Sequence, residues 1–284
     1  MAEPTEEDQR PVAWNPFTPG GVALYAIAPL GNLLSTQFVA AFLLWITAMF
    51  YLSQSWVPAI DSMIGQIPIG TRIQNGRLFI PSHEPIIFSD NRLVGIVWAK
   101  EDAPGPTSDI EVRLMPNEFR VATMIGYLPL PYPHHEDQTV DKDALSPRWG
   151  AWRPAIIPLV AGLFTLFIWG AWAALAAIYA WPIRVAIFFR DKLTSPLGSW
   201  KLCSAALMPG AFLLTAALLF YTLGRIPVAG LIIAFAAHFV LGWVFVFFGA
   251  VALPLIPEAE REQGNPFSNE KRKKKPKKNP FKKK

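Results

Sequence analysis

Four stretches of the chain carry almost no charge, and the pattern of apolar and polar positions changes sharply between them. Residues 37–56 start at Gln37 and run through Phe, Val, Ala, Leu and Ile without one charged side chain, closing on Trp56, a residue suited to the headgroup boundary. Residues 154–180 are rich in Trp, Leu, Ala and Ile throughout, residues 202–223 hold Pro209 and Gly210 inside an apolar run, and residues 229–253 end at Pro254 and Pro257. A helix needs roughly 20 apolar residues to cross about 30 Å of hydrocarbon, so the pattern predicts four transmembrane helices. Residues 20–34 are apolar but short and interrupted by Pro29 and Gly31, which predicts an interfacial helix within a cytoplasmic N-terminal segment, 1–36. Residues 181–201 alternate apolar positions with Arg184, Arg190, Lys192 and Lys201, as an amphipathic loop on the membrane surface would.

Between the first and second stretches the period becomes that of strands. Residues 71–80 place Gln74, Asn75, Gly76 and Arg77 between alternating apolar residues, and Asn-Gly favours a tight hairpin because both adopt positive φ cheaply. Further strand-type runs follow at 85–89, 93–100, 110–115 and 119–127, and residues 129–147 read as an irregular, proline-rich linker back to the bilayer. The expected fold class is an α-helical polytopic membrane protein with about four transmembrane helices and a small extracytoplasmic antiparallel β domain, 57–153 with its linker, inserted between helices 1 and 2.

Composition agrees with membrane residence: 284 residues are 52% hydrophobic, with mean hydropathy +0.29. The net charge of +5 conceals two opposite parts. Positions 271–284 hold ten Lys or Arg and no acid, so the remainder sums to 5 − 10 = −5, and any pull on anionic partners belongs to the basic tail, 254–284. Lys and Arg are retained on the cytoplasmic side. Four lie in the 181–201 loop, one (Arg225) in the turn before the fourth span, and eleven in the tail including Arg261. This predicts both termini in the cytoplasm and the β domain outside; a bacterial inner membrane is the expected residence. The first thirty residues, with Glu3, Glu6, Glu7 and Asp8, lack a secretory signal pattern, and the single Cys203 excludes an internal disulfide.

Ile73, Asn75, Gly76 and Leu78, followed by Glu84, Pro85, Ile86, Ile87, Phe88 and Asp90, lie between one upstream span and a downstream helical cluster. In this the chain resembles an uncharacterised bacterial multi-span inner-membrane protein family grouped with the Yip-type proteins, whose extracytoplasmic strand pair carries a similar Asn-Gly-x-Leu and Glu-Pro-Ile pattern. The resemblance covers some twenty residues plus the layout. It implies a multi-span protein of no established activity and transfers no catalytic residue; the long lysine tail is not part of the family's pattern.

Candidate chemistry is sparse. Lys271, Arg272, Lys273, Lys274, Lys275, Lys277, Lys278, Lys282, Lys283 and Lys284 form a polybasic tail that can fix topology, contact anionic lipids at the cytoplasmic face, or meet a ribosome or nucleic acid, since charge alone drives all three. Asn-Pro-Phe recurs at 15–17, 265–267 and 279–281 as a turn presenting an aromatic. His238 is the one ionisable residue in the fourth span, read either as a proton-linked group or as a neutral imidazole bonded within the bundle. His134 and His135 beside Glu136 and Asp137 lack a full ligand set at metal spacing. Ala206, Gly210, Gly230 and Ala234 allow close helix contact. Nucleophile-elbow, phosphate-loop and zinc-protease motifs are absent. The expectation is a non-enzymatic scaffold or accessory subunit, with no cofactor and no metal, that meets a protein partner through its extracytoplasmic domain. A transport component or small permease, and an accessory factor for membrane-protein insertion, are the alternatives.

Overall fold

A computed structural model describes residues 12–82, 84–98, 107–134, 137–192 and 194–255. Among them are seven α-helices: α1 (Pro19–Ile27), α2 (Leu30–Tyr51), α3 (Val57–Gln66), α4 (Lys142–Phe188), α5 (Pro196–Ala206), α6 (Met208–Thr222) and α7 (Val228–Ala252). A π-helical turn, Leu52–Trp56, joins α2 to α3 without a break. Four helical segments, Leu30–Gln66, Lys142–Phe188, Pro196–Thr222 and Val228–Ala252, are long and apolar enough to cross a membrane.

The segment 20–34 is divided between two helices at Pro29. Thr18 caps α1 by accepting from the Gly21 amide, and the helix stops at Ala28 because a residue before proline favours extended backbone. α1 folds back beside α2, with Tyr25 Oη and Thr36 Oγ1 2.7 Å apart, and buries Val22 and Tyr25 completely against α5 and α7. Pro19–Ile27 carries no charged residue, and one side of it packs on the helices while Leu24 and Ile27 stay exposed.

α4 is also longer than its apolar run. Its 47 residues extend about 70 Å at 1.5 Å per residue, despite Pro147, Pro154, Pro158 and Pro182 within it. Asp141 caps the start by accepting from Ala144 N at 3.1 Å. The first turns, read from sequence as linker, are held to α3 where Asp61 accepts from Trp149 Nε1 at 2.7 Å and Arg153 Nη1 at 3.0 Å. Exposed Trp152 and Trp181 lie about 44 Å apart along this helix, close to the full thickness of a bilayer with its headgroups. The expected third span is divided at Leu207, one residue before the Met208-Pro209 start of α6.

The strands are β1 (Arg72–Gln74), β2 (Arg77–Phe79), β3 (Ile86–Asp90), β4 (Val94–Trp98), β5 (Ile110–Leu114), β6 (Glu118–Thr123), β7 (Gly126–Pro131) and β8 (Gln138–Thr139). They form a three-stranded sheet in the order β2-β1-β8 and a five-stranded sheet in the order β3-β4-β5-β6-β7. The β1–β2 hairpin turns at Asn75 (φ 50°) and Gly76 (φ 72°), as the Asn-Gly pair predicted. The domain is not purely antiparallel: β4 and β5 pair in parallel, Val94 opposite Ile110. The run read as one strand over 119–127 is a hairpin, β6 and β7, and the prolines of the supposed linker, Pro129 and Pro131, sit on the edge strand β7, where a missing N–H costs no ladder bond.

Two apolar cores meet at the end of α6. One gathers α1, α2, α4, α5, α6 and α7; the other packs Leu78, Phe88, Val94, Ile96, Trp98 and Tyr132 of the sheets against Ala59 of α3 and Tyr221 of α6. Gly76 is the local test of the hairpin. Valine there must hold positive φ, at about 1–2 kcal/mol, and its Cβ would lie 2.8 Å from His134 Nε2. A Gly76→Val protein is expected to melt several degrees lower in detergent, and an unchanged melting temperature would refute the turn assignment.

Candidate functional site

The ionisable residues of the bundle divide by role. Lys201, read from sequence as part of a surface loop, lies inside α5 with 7% exposure, and its Nζ donates to Ala28 O at 2.6 Å. It thereby caps the C-terminal end of α1, where the helix dipole favours a cation. Lys192 serves α7 in the same way, donating to Val251 O at 3.0 Å and Leu253 O at 2.7 Å. Arg190 sets its guanidinium 6.0 Å from the centre of the Phe247 ring, and Arg184 is exposed. Lys192 and Lys201 therefore close the ends of neighbouring helices at the end of the bundle away from the sheets, instead of forming a polar face on a surface loop.

His238 is 3% exposed on α7 and turns its Nδ1 to Phe235 O at 2.8 Å, which makes its bond with its own helix. Gly210 meets it from α6: a Cβ built on that glycine would stand 2.8 Å from His238 O. The two features singled out separately in the sequence thus form one close helix crossing. Beside it, Leu44, Phe164, Trp172, Ala211, Thr215 and Phe235 help to line a cavity of about 370 Å³ between α2, α4, α6 and α7. Thr215 gives its hydroxyl to Ala211 O, so the cavity offers hydrocarbon and no ionisable group.

Sequence reasoning missed two polar contacts. Gln37 is buried on α2, accepts from Trp169 Nε1 of α4 at 3.3 Å, and leaves its Nε2 without a partner. The available signal was an amide at the edge of an uncharged run. The second contact fixes the sheets to the bundle. Arg92 Nη2 donates to Tyr221 O at 3.4 Å and Ile226 O at 3.2 Å, and Tyr221 Oη donates to Asp109 Oδ2 at 2.9 Å. Nothing in the local pattern announces a pairing across more than a hundred residues.

In the sheet domain, Arg77, Phe79, Ser82, Trp98 and Asn117 help to line a cleft of about 600 Å³. Trp98 Nε1 is buried there without a partner. Glu111 is buried but saturated, receiving Arg113 Nε at 2.6 Å and Thr107 N at 2.9 Å, and acts as a structural carboxylate. Burial pushes the Tyr132 hydroxyl's pKa up, which keeps it protonated and unsuited to acid–base work near neutrality.

The remaining sequence candidates are placed as follows. Asn15 Oδ1 accepts from Phe17 N at 2.9 Å, and the Phe17 ring packs 5.2 Å from that of Phe212 on α6, so the first Asn-Pro-Phe docks on the protein's own bundle. His134 lies over the Gly76 turn, while His135 and Glu136 lie outside the described residues. Among the described residues no three His, Cys, Asp or Glu side chains gather as a metal site. The basic tail, from Lys271 to Lys284, and the other two Asn-Pro-Phe motifs also lie outside them.

No known family model, curated protein or solved structure matches this chain. The likeness to the Yip-type group rests on the hairpin and Glu-Pro-Ile residues and the overall layout.

Proposed function

We propose that the protein is a multi-pass scaffold or accessory subunit of a bacterial inner membrane. It performs no chemistry of its own and receives a protein partner in the cleft of its outward-facing sheet domain, while its lysine tail lies on the cytoplasmic leaflet. The observation that carries this reading is the cleft itself, bounded by Arg77, Phe79, Trp98 and Asn117. It combines an aromatic wall with a guanidinium and an amide, the surface types that anchor protein interfaces. The bonds of Arg92 and Asp109 to the α6–α7 end support a platform held at fixed height above the bilayer. Orientation follows the basic residues, with Lys192, Lys201, Arg184 and Arg190 gathered at the opposite end from the sheets.

The test is photocrosslinking from Asn117 in native membranes, which is expected to trap one discrete protein on the outer side. A blank across native membranes would remove the partner reading. Truncation after Asn269 is expected to weaken binding of the purified protein to anionic vesicles by roughly 1 kcal/mol per lost charge near the surface, and progressively less as salt rises. Equal binding by both lengths would eliminate the tail's part, and loss of binding confined to ribosomes would favour the insertion-factor alternative. The permease alternative draws on the apolar cavity beside the Gly210–His238 crossing, whose lining suits a hydrocarbon passenger and not an ion.

A further inference from the structure

The turn of the β6–β7 hairpin is made of residues that turns seldom use. Thr123 and Gly126 flank Met124 and Ile125, where Asn, Gly, Asp or Ser would ordinarily stand. Met124 is 62% exposed, Ile125 89%, Tyr127 66% and Leu128 59%. Tyr127 and Leu128 lie on opposite faces of β7, with the Arg120 guanidinium 5.1 Å from the centre of the Tyr127 ring, so the hairpin tip is an apolar patch on both faces that water does not favour. The turn at the other end of β6 is unlike it, with Pro116 and Asn117 between β5 and β6.

Strand register fixes the height of this patch. Thr123 stands opposite Ile110, the residue after Asp109, and Asp109 accepts a hydrogen bond from Tyr221, next to last in α6. The hairpin tip therefore lies level with the end of a membrane-length helix. It is displaced sideways from β4 by two to three strand spacings, about 10–14 Å in all. At that height and offset, the surface beside the bundle is the bilayer interface, and a Tyr next to aliphatic residues is the composition that settles there.

We propose that Met124, Ile125, Tyr127 and Leu128 dip into the headgroup and upper acyl region of the outer leaflet, making the β6–β7 hairpin a second membrane attachment that holds the sheet domain down at its free edge. The occupant is lipid. The proposal rests on the membrane reading of the bundle but not on the partner cleft.

Cys203 is the single cysteine and is buried, so a Cys203→Ala background accepts one probe at a time. Ile125→Cys, Asn117→Cys and Phe167→Cys proteins, each labelled with an environment-sensitive fluorophore, would be placed one copy per lipid nanodisc. Lipids with nitroxide near the headgroup are expected to quench the Ile125 probe several-fold more than the Asn117 probe, with iodide in the buffer showing the reverse order. Phe167, 72% exposed on the middle of α4, should be quenched by nitroxides deep in the acyl chains. If the Phe167 probe behaves so while the Ile125 probe answers only to iodide, the hairpin idea is overturned and the spans stand; if Phe167 also answers only to iodide, the membrane reading has failed first. Shielding of Ile125 from iodide in native membranes but not in the single-copy nanodisc would assign the patch to a protein and likewise overturn the lipid assignment.

Discussion

A Gly210→Leu protein is expected to lose most of its folded yield in detergent and to melt well below the parent. The cause is the crossing of α6 and α7, where the missing Cβ would sit 2.8 Å from His238 O and 3.3 Å from His238 Cα. Both are backbone atoms, so no side-chain rotation relieves the overlap and the helices must part. Overpacking of this kind costs about 1–3 kcal/mol when neighbours can shift and more when they cannot. Separation would also widen the cavity lined by Ala211 and Phe235, so stability and any ligand held there should fall together. Gly170→Leu is the matched control, because nothing lies within 4 Å of a Cβ at that glycine of α4. Equal melting temperatures for the two variants would show that the close crossing does not exist in the membrane.

The second large effect belongs to Lys201. Lys201→Met keeps much of the side chain's volume but removes the donor to Ala28 O, leaving a carbonyl buried at the end of α1 without its cap. An unsatisfied buried polar group costs about 1–3 kcal/mol, and the favourable charge at the helix C-terminus is lost with it. The loss should be local first. Amide exchange across Pro19–Ile27 is expected to speed up markedly while that of α7 stays slow. Lys192→Met should do the converse at the end of α7, with a smaller effect because one of its bonds is exposed. Unchanged protection of α1 in Lys201→Met would show that the lysine merely passes near the carbonyl.

Much of this architecture is legible from local pattern, and the reason is the solvent. Hydrocarbon excludes charge over some twenty residues at a time, so membrane-length helices leave long uncharged runs that need no partner to be recognised. Asn75 and Gly76 are equally self-contained: their conformational preference sets the turn before any strand is packed. The departures arise where a second segment decides. The 119–127 run alternates as one strand would, yet it folds as two because Gly126 admits the positive φ that closes the turn. The β4–β5 pairing is parallel through a connection whose composition does not encode direction. Lys192 and Lys201 look in sequence like any basic residues between spans, and only the carbonyls of Val251, Leu253 and Ala28 make them helix caps.

The amino-acid sequence by itself determined the number of membrane-length helices, the place of the sheet domain along the chain and the excess of positive charge on one set of loops, since each depends on how a short segment partitions between water, interface and hydrocarbon. The tertiary structure decided that α1 packs against α5 and α7, that His238 and Gly210 share one crossing, and that Arg92 and Asp109 pin the sheets to the end of α6. Those are contacts between groups distant in the chain, and their free energy exists only once both partners have been brought together and cut off from solvent.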